Sequence, residues 1–207
     1  MEKKRIVFLG DSITDAGRNR ADCHDMGFGY PKYASELLTQ YFSDIDFEFF
    51  NKGIGGNRTC QLFDRLYNDA IVLEPDIISI LIGINDVWGR YGINRVATTD
   101  AQTALNLRCI LERIRRETGA KIMILSPYLL DCDDKEQVRA DLKTLIPTVR
   151  SLAEEFADVY VPLNEIFEEA QKNQPHPKFY SEDGVHPNAA GAEFIGRVYA
   201  EAIRPLI

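Results

Sequence analysis

The chain has 207 residues, with 24 Lys and Arg against 32 Asp and Glu and a formal net charge of −8 at pH 7. That length suits one domain with a sizeable core better than two, and no linker or repeat divides it, so residues 1–207 are expected to form a single domain. The acidic balance argues against nucleic acid or an anionic membrane as the main partner.

The opening "MEKKRIVFLGDS" is basic, but its apolar run is too short for the central region of a secretory signal. The longest apolar stretch, "IISILIGI" at 77–84, falls far below a membrane span. Cys23, Cys60, Cys109 and Cys132 show no paired metal spacing, and without a signal segment disulfides are not expected. The expectation is free thiols, no metal, no cofactor and a cytoplasmic setting.

Five short runs read as strands in chain order: "RIVFLG" (5–10), "FEFFN" (47–51), "DIISILIG" (76–83), "KIMILSP" (121–127) and "DVYVPL" (158–163). Several are apolar without alternation, as in parallel strands covered on both faces. Helical patterns lie between them, near 31–41, 60–73, 100–118 and 135–156, and two more follow at 164–173 and 188–203. This alternation predicts a three-layer α/β/α sandwich with a five-stranded parallel sheet. In such sheets the ligand crevice lies beyond the carboxyl ends of the strands. The segments "GDSIT", "NKGIGGN" and "GINDVW" follow the first three strands and are expected on one rim.

Ser12 in "GDSIT" stands at a strand-to-helix junction, where backbone N–H groups favour a developing negative charge. A helix cap is the plainer reading of the same serine. Gly53, Gly55 and Gly56 allow an N–H to face the crevice without a side chain in the way, or merely form a tight turn. Asn85 offers a neutral amide donor suited to an oxyanion, or a side chain that stabilises its own turn. Near the end, "YSEDGVHPNAAG" places Asp183 three residues before His186, the spacing at which a carboxylate can orient an imidazole across one tight turn. The same stretch also looks like the start of a last helix, with Pro187 or Asn188 near its N-terminus.

Together these four blocks, in this order from residue 10 to 187, resemble the SGNH hydrolases, the GDSL-type esterase superfamily. The resemblance implies a flavodoxin-like fold and a serine esterase. It makes Ser12 the nucleophile, His186 the general base and acid, and Asp183 its orienting group. The oxyanion donors it implies are the Ser12 N–H, the Asn85 side chain and a glycine N–H, with Gly56 in register and Gly55 one step away. Within the superfamily, "GDSITDAGRNR", "NKGIGGN" and "IGINDVW" are most similar to intracellular carbohydrate acetylesterases, including those acting on acetylated xylo-oligosaccharides. That branch implies a small ester substrate, an acetylated oligosaccharide, and often a homo-oligomer. Lysophospholipase or thioesterase activity is the alternative within the same chemistry. From another class, a flavin- or nucleotide-binding module would use the helix start after the first strand for phosphate.

The segment from Ile13 to Tyr30 is long, polar and rich in Gly, and is expected at the crevice mouth, with Arg18 and Arg20 on it. His24 and His176 lack the companions of a metal cluster and read as solvated. Trp88, the only tryptophan, lies just past Asn85, where an indole can serve as a platform for a sugar ring or can fill the core or a subunit contact. Trp88 and Arg18 are the expected substrate contacts.

Overall fold

The structure is a computed structural model that describes residues 2–91, 96, 98–132 and 134–207. Its elements run β1 (Glu2–Gly10), α1 (Ser12–Asp15), α2 (Tyr30–Tyr41), β2 (Ile45–Gly53), α3 (Thr59–Asp69), β3 (Ile77–Leu81), α4 (Ile84–Trp88), α5 (Asp100–Glu117), β4 (Lys121–Leu125), α6 (Glu136–Phe156), β5 (Val159–Val161), α7 (Leu163–Gln171) and α8 (Ala189–Ala202). All strand pairs are parallel, in the order β2-β1-β3-β4-β5. This is the flavodoxin-like order, and the chain reverses its direction of travel across the sheet at β1.

The central strands form because they are apolar throughout. Ile77, Ile78, Ile80 and Leu81 of β3 are all at most 1% exposed, so both faces of the strand are covered. Burying each such side chain stabilises the fold by about 1.5–3 kcal/mol. α2 packs on α8, while α3 packs on α5 and α5 on α6. No helix among the described residues is long and apolar enough to cross a membrane.

Local signals set the helix ends. Thr99 and Gln102 form a reciprocal capping box at the start of α5. Asn188 caps α8, its Oδ1 accepting from the Gly191 N–H at 3.1 Å. Several elements differ from the sequence expectation, β3, β4 and β5 ending short of their expected bounds. β1 and β2 run longer than their apolar runs, because the polar residues from Glu2 pair with the segment from Ile45 although they bury little. The helix expected over 60–73 ends at Asp69, and Ile71–Leu73 form a separate 3₁₀ turn. α1 and α4 are single turns, too short to leave a periodicity.

The register places the site. Gly10 pairs with Gly53 on one side and with Leu81 on the other, so β1, β2 and β3 end level. The three polar segments that follow them therefore start from one edge.

Candidate active site

Ser12 is the first residue of α1, with Asp11 as its N-cap. Asp11 is fully buried, and its Oδ1 accepts from the Ile13 N–H at 3.0 Å. Burial pushes the Asp11 carboxyl up to about 7, against the pull of the Ile13 N–H and of nearby His186. An acidic side chain filling this helix start is a poor neighbour for a phosphate, which removes the support for a nucleotide-binding reading of "SITDAG".

The last block folds as a tight turn. Gly184 has φ +82, and a Cβ there would stand 2.8 Å from Cys132 Sγ and 2.9 Å from the Leu130 carbonyl oxygen. Only glycine fits both the conformation and the space. Leu130 N–H donates to the Gly184 carbonyl at 2.8 Å, and the Tyr128 hydroxyl donates to the Val185 carbonyl at 3.1 Å. Asp183 Oδ1 accepts from the backbone N–H groups of Val185 at 2.9 Å and His186 at 2.8 Å. Its Oδ2 stands 2.7 Å from His186 Nδ1. Partial burial pushes this carboxyl up, but the hydrogen bonds from the His186 ring and the two N–H groups outweigh it and hold it at about 2. The carboxylate is thus ionised at neutral pH and accepts the Nδ1 proton, which leaves Nε2 as an acceptor. The Ser12 hydroxyl lies 2.9 Å from Nε2 and donates to it.

Around this pair the described N–H groups sort themselves. Gly55 N–H donates to Asp15 Oδ2 at 2.9 Å and is engaged. Gly56 has φ +78 and open space beside its α-carbon, and among the described residues no hydrogen bond engages its N–H or that of Ser12. Asn85 uses one amide proton on the Asn57 carbonyl, at 3.0 Å, and has a second to offer. Next to it, buried Asp86 accepts from the Thr59 N–H at 3.0 Å and the Thr59 hydroxyl at 2.7 Å, which ties α4 to the start of α3. Among the described residues neither side chain bonds within its own turn, contrary to the plainer reading of "GIND": both reach the segment at the start of α3, and one Asn85 donor remains.

Ser12, Gly56, Asn85, Asp183 and His186 are brought to one rim. Trp88 joins them, half-buried, its ring centroid 6.0 Å from that of His186 and Lys135 Nζ 5.3 Å from its centre. It is the last residue of α4. Arg18 does not reach the open crevice as expected: it is 8% exposed, and its Nε donates to the Gly53 carbonyl at 3.0 Å, bracing the end of β2. Two residues on, Arg20 is the guanidinium paired with Asp15 beside Gly55. His24 and His176 are exposed and far apart in role, His24 Nδ1 donating to the Phe49 carbonyl at 2.9 Å. All four cysteines are free and partly buried.

Sequence reading passed over Asp15, Ser181 and Tyr128. Ser181 accepts from the Gly184 N–H at 3.0 Å and braces the same turn. A hollow of about 550 Å³ lies behind the Tyr128–Leu130 segment, between α6 and α7. It holds neither Ser12 nor His186, so chemistry rather than volume locates the site.

Residues 8–194 match the GDSL-like lipase/acylhydrolase family. The chain belongs to that family and is a carboxylic-ester hydrolase. It is 30% identical to an acetylxylan esterase of Geobacillus stearothermophilus, over 97% of this chain and 94% of that one. Superposed on the crystal structure of Axe2, an acetylxylan esterase from the same organism, it gives a TM-score of 0.87 at 28% identity, over 98% of this chain and 94% of that one. A protein of Parabacteroides merdae described as a GDSL-like lipase superposes with a TM-score of 0.92 at 29% identity, over 100% and 97% of the two chains. Three solved Axe2 variants are described as catalytic mutants, with alanine in place of a serine, an aspartate and a histidine respectively.

Proposed function

We propose that this protein is an acetylesterase that removes O-acetyl groups from short carbohydrates, acetylated xylo-oligosaccharides being the favoured class, through Ser12, His186 and Asp183. The observation that carries the reading is one line of contacts: Ser12 Oγ at 2.9 Å from Nε2 of a ring whose Nδ1 is 2.7 Å from Asp183. The similarity to acetylxylan esterases supports the substrate class.

In this mechanism Ser12 Oγ attacks the acyl carbon while its proton passes to His186 Nε2. The charge that forms on the carbonyl oxygen meets the N–H groups of Ser12 and Gly56 and the free amide proton of Asn85, donors aimed before the reaction begins. Asp183 stabilises the imidazolium without taking its proton. His186 then protonates the departing sugar oxygen, leaving an acyl-Ser12. Water attacks that ester, giving its proton to His186, and the collapse releases acetate and regenerates the Ser12 hydroxyl.

The test is hydrolysis of p-nitrophenyl esters of increasing acyl length beside an acetylated xylo-oligosaccharide. The expected profile is fastest with acetyl and falls with chain length. Ser12→Ala and His186→Ala each lose about 10⁵- to 10⁶-fold in kcat. Full activity in Ser12→Ala overturns the nucleophile. A preference for long acyl chains or thioesters keeps the nucleophile and overturns the substrate.

A further inference from the structure

A hydrogen-bonded chain that the reaction itself does not use links the three oxyanion donors. Asp15 closes α1, three residues after Ser12, and is 6% exposed. Its Oδ2 accepts from the Gly55 N–H at 2.9 Å, and from Arg20 Nε at 3.2 Å and Nη2 at 2.5 Å. Gly55 opens the corner of a four-residue turn, closed by the Asn57 N–H donating to the Ile54 carbonyl at 3.1 Å. Gly56, with φ +78, holds the third position of that turn, where a type II turn requires a positive φ. Type I and type II turns differ by a flip of their central peptide, the one that carries the Gly56 N–H, and a flip re-aims that N–H. From the same turn, the Asn57 carbonyl accepts from Asn85.

We propose that Asp15 is a positioning residue for the oxyanion hole: by holding the Gly55 N–H it fixes the corner of the turn, so that the Gly56 N–H and, through Asn57, the Asn85 amide face the oxygen above Ser12. This rests on the triad reading given under Proposed function. Arg20 has a separate task in the arrangement. Arg20 Nη2, Asp15 Oδ2 and Ser12 Cβ all lie within 3.8 Å of the point where a Gly55 Cβ would stand. An unpaired carboxylate bonded to the turn that carries Gly56 would repel the charge forming on the substrate oxygen, and the guanidinium offsets it. The long segment between α1 and α2 thus returns a cation to the carboxylate that holds the turn. Arg20 is 55% exposed, so the pair gains its worth from placement rather than from burial.

The experiment compares Asp15→Ala, Asp15→Asn and Arg20→Ala with the parent enzyme on p-nitrophenyl acetate, with Ser12→Ala and Asn85→Ala as controls. A misaimed donor costs less than a deleted one, so Asp15→Ala is expected to lower kcat about 10- to 100-fold with KM within twofold. Its inactivation by a serine-directed phosphonate, whose oxygen occupies the same hole, slows in parallel. Asp15→Asn, whose amide oxygen can still accept from Gly55, recovers most of the rate. Arg20→Ala gives a smaller kcat loss at unchanged KM. If Asp15→Ala does not fold, the Asn and Arg20 variants decide the matter. An unchanged kcat in Asp15→Ala, or an Asn variant as slow as the Ala one, overturns the proposal, as does a rise in KM alone. Should Ser12→Ala stay active, it is the triad reading that fails. With Ser12→Ala inactive and Asn85→Ala slow, a failure belongs to Asp15 only.

Discussion

The Trp88 indole and the His186 imidazole stand 6.0 Å apart at an interplanar angle of 53°. With Lys135 Nζ 5.3 Å from its ring centre, the indole neighbours both an ammonium group and the imidazole. A side chain so placed limits where the imidazole can swing. Trp88→Ala is accordingly expected to lower kcat several-fold on p-nitrophenyl acetate and on an acetylated xylo-oligosaccharide alike. Steady-state kinetics on both esters check it, and a KM rise confined to the oligosaccharide would instead assign the indole to the sugar.

Asn85 tests the oxyanion assignment separately from the nucleophile. One of its amide protons already serves Asn57, so truncation loses both a turn contact and a donor. Asn85→Ala is expected to lower kcat by about 10² to 10³, with little change in KM, since the bond strengthens only as charge develops. A higher KM at constant kcat would place Asn85 in ground-state binding.

Asp11 and Asp183 respond to pH in opposite senses. Burial raises the Asp11 carboxyl from 3.8 to about 7, so between those values the folded protein keeps a proton that the unfolded chain has released. Stability from this group is therefore fully present below about 3.8 and is lost as pH climbs through about 7. Asp183, held at about 2, contributes stability above 3.8 that disappears as pH falls toward 2, a contribution reduced by its exposure. Thermal melts of Asp11→Asn against the parent are expected to diverge in favour of the variant between pH 4 and 7 and to run parallel above. A difference independent of pH would refute the assignment.

Gly184 carries the turn that holds Asp183 to His186. A Cβ at φ +82, pressed on Cys132 and the Leu130 carbonyl, costs about 1–3 kcal/mol in backbone strain before any clash is counted. Gly184→Ala should lower the melting temperature by at least about 2 °C and reduce kcat on every ester by displacing His186. An active variant with an unchanged melting curve would show that the turn adapts.

Much of this molecule was open to reading along the chain, wherever the causes are local. The apolar runs of β3 and β4, the Thr99–Gln102 cap and the Asn188 helix start depend on neighbours a few residues away. The Asp183–His186 contact is of that kind too, three residues apart with a glycine between. The start of α1 was legible at Ser12, whereas the single turn α4 escaped because one turn has no period, and the polar start of β1 escaped because its partner strand, not its composition, makes it a strand.

Other relationships had no local cause. Ser12 and His186 meet across 174 positions only because β1 lies between β2 and β3 and the last helix returns beside α2. Any order of five parallel strands would have satisfied the same apolar runs. The Gly55 N–H is engaged by a carboxylate 40 positions away, while among the described residues no bond engages that of Gly56. Arg18 and Arg20, two residues apart in one polar stretch, look alike along the chain. One is buried against Gly53 and the other pairs with Asp15 beside Gly55. Burial and hydrogen-bond partners belong to the packed chain, because they depend on which segments the sheet brings together, and the residue types alone carry no record of that.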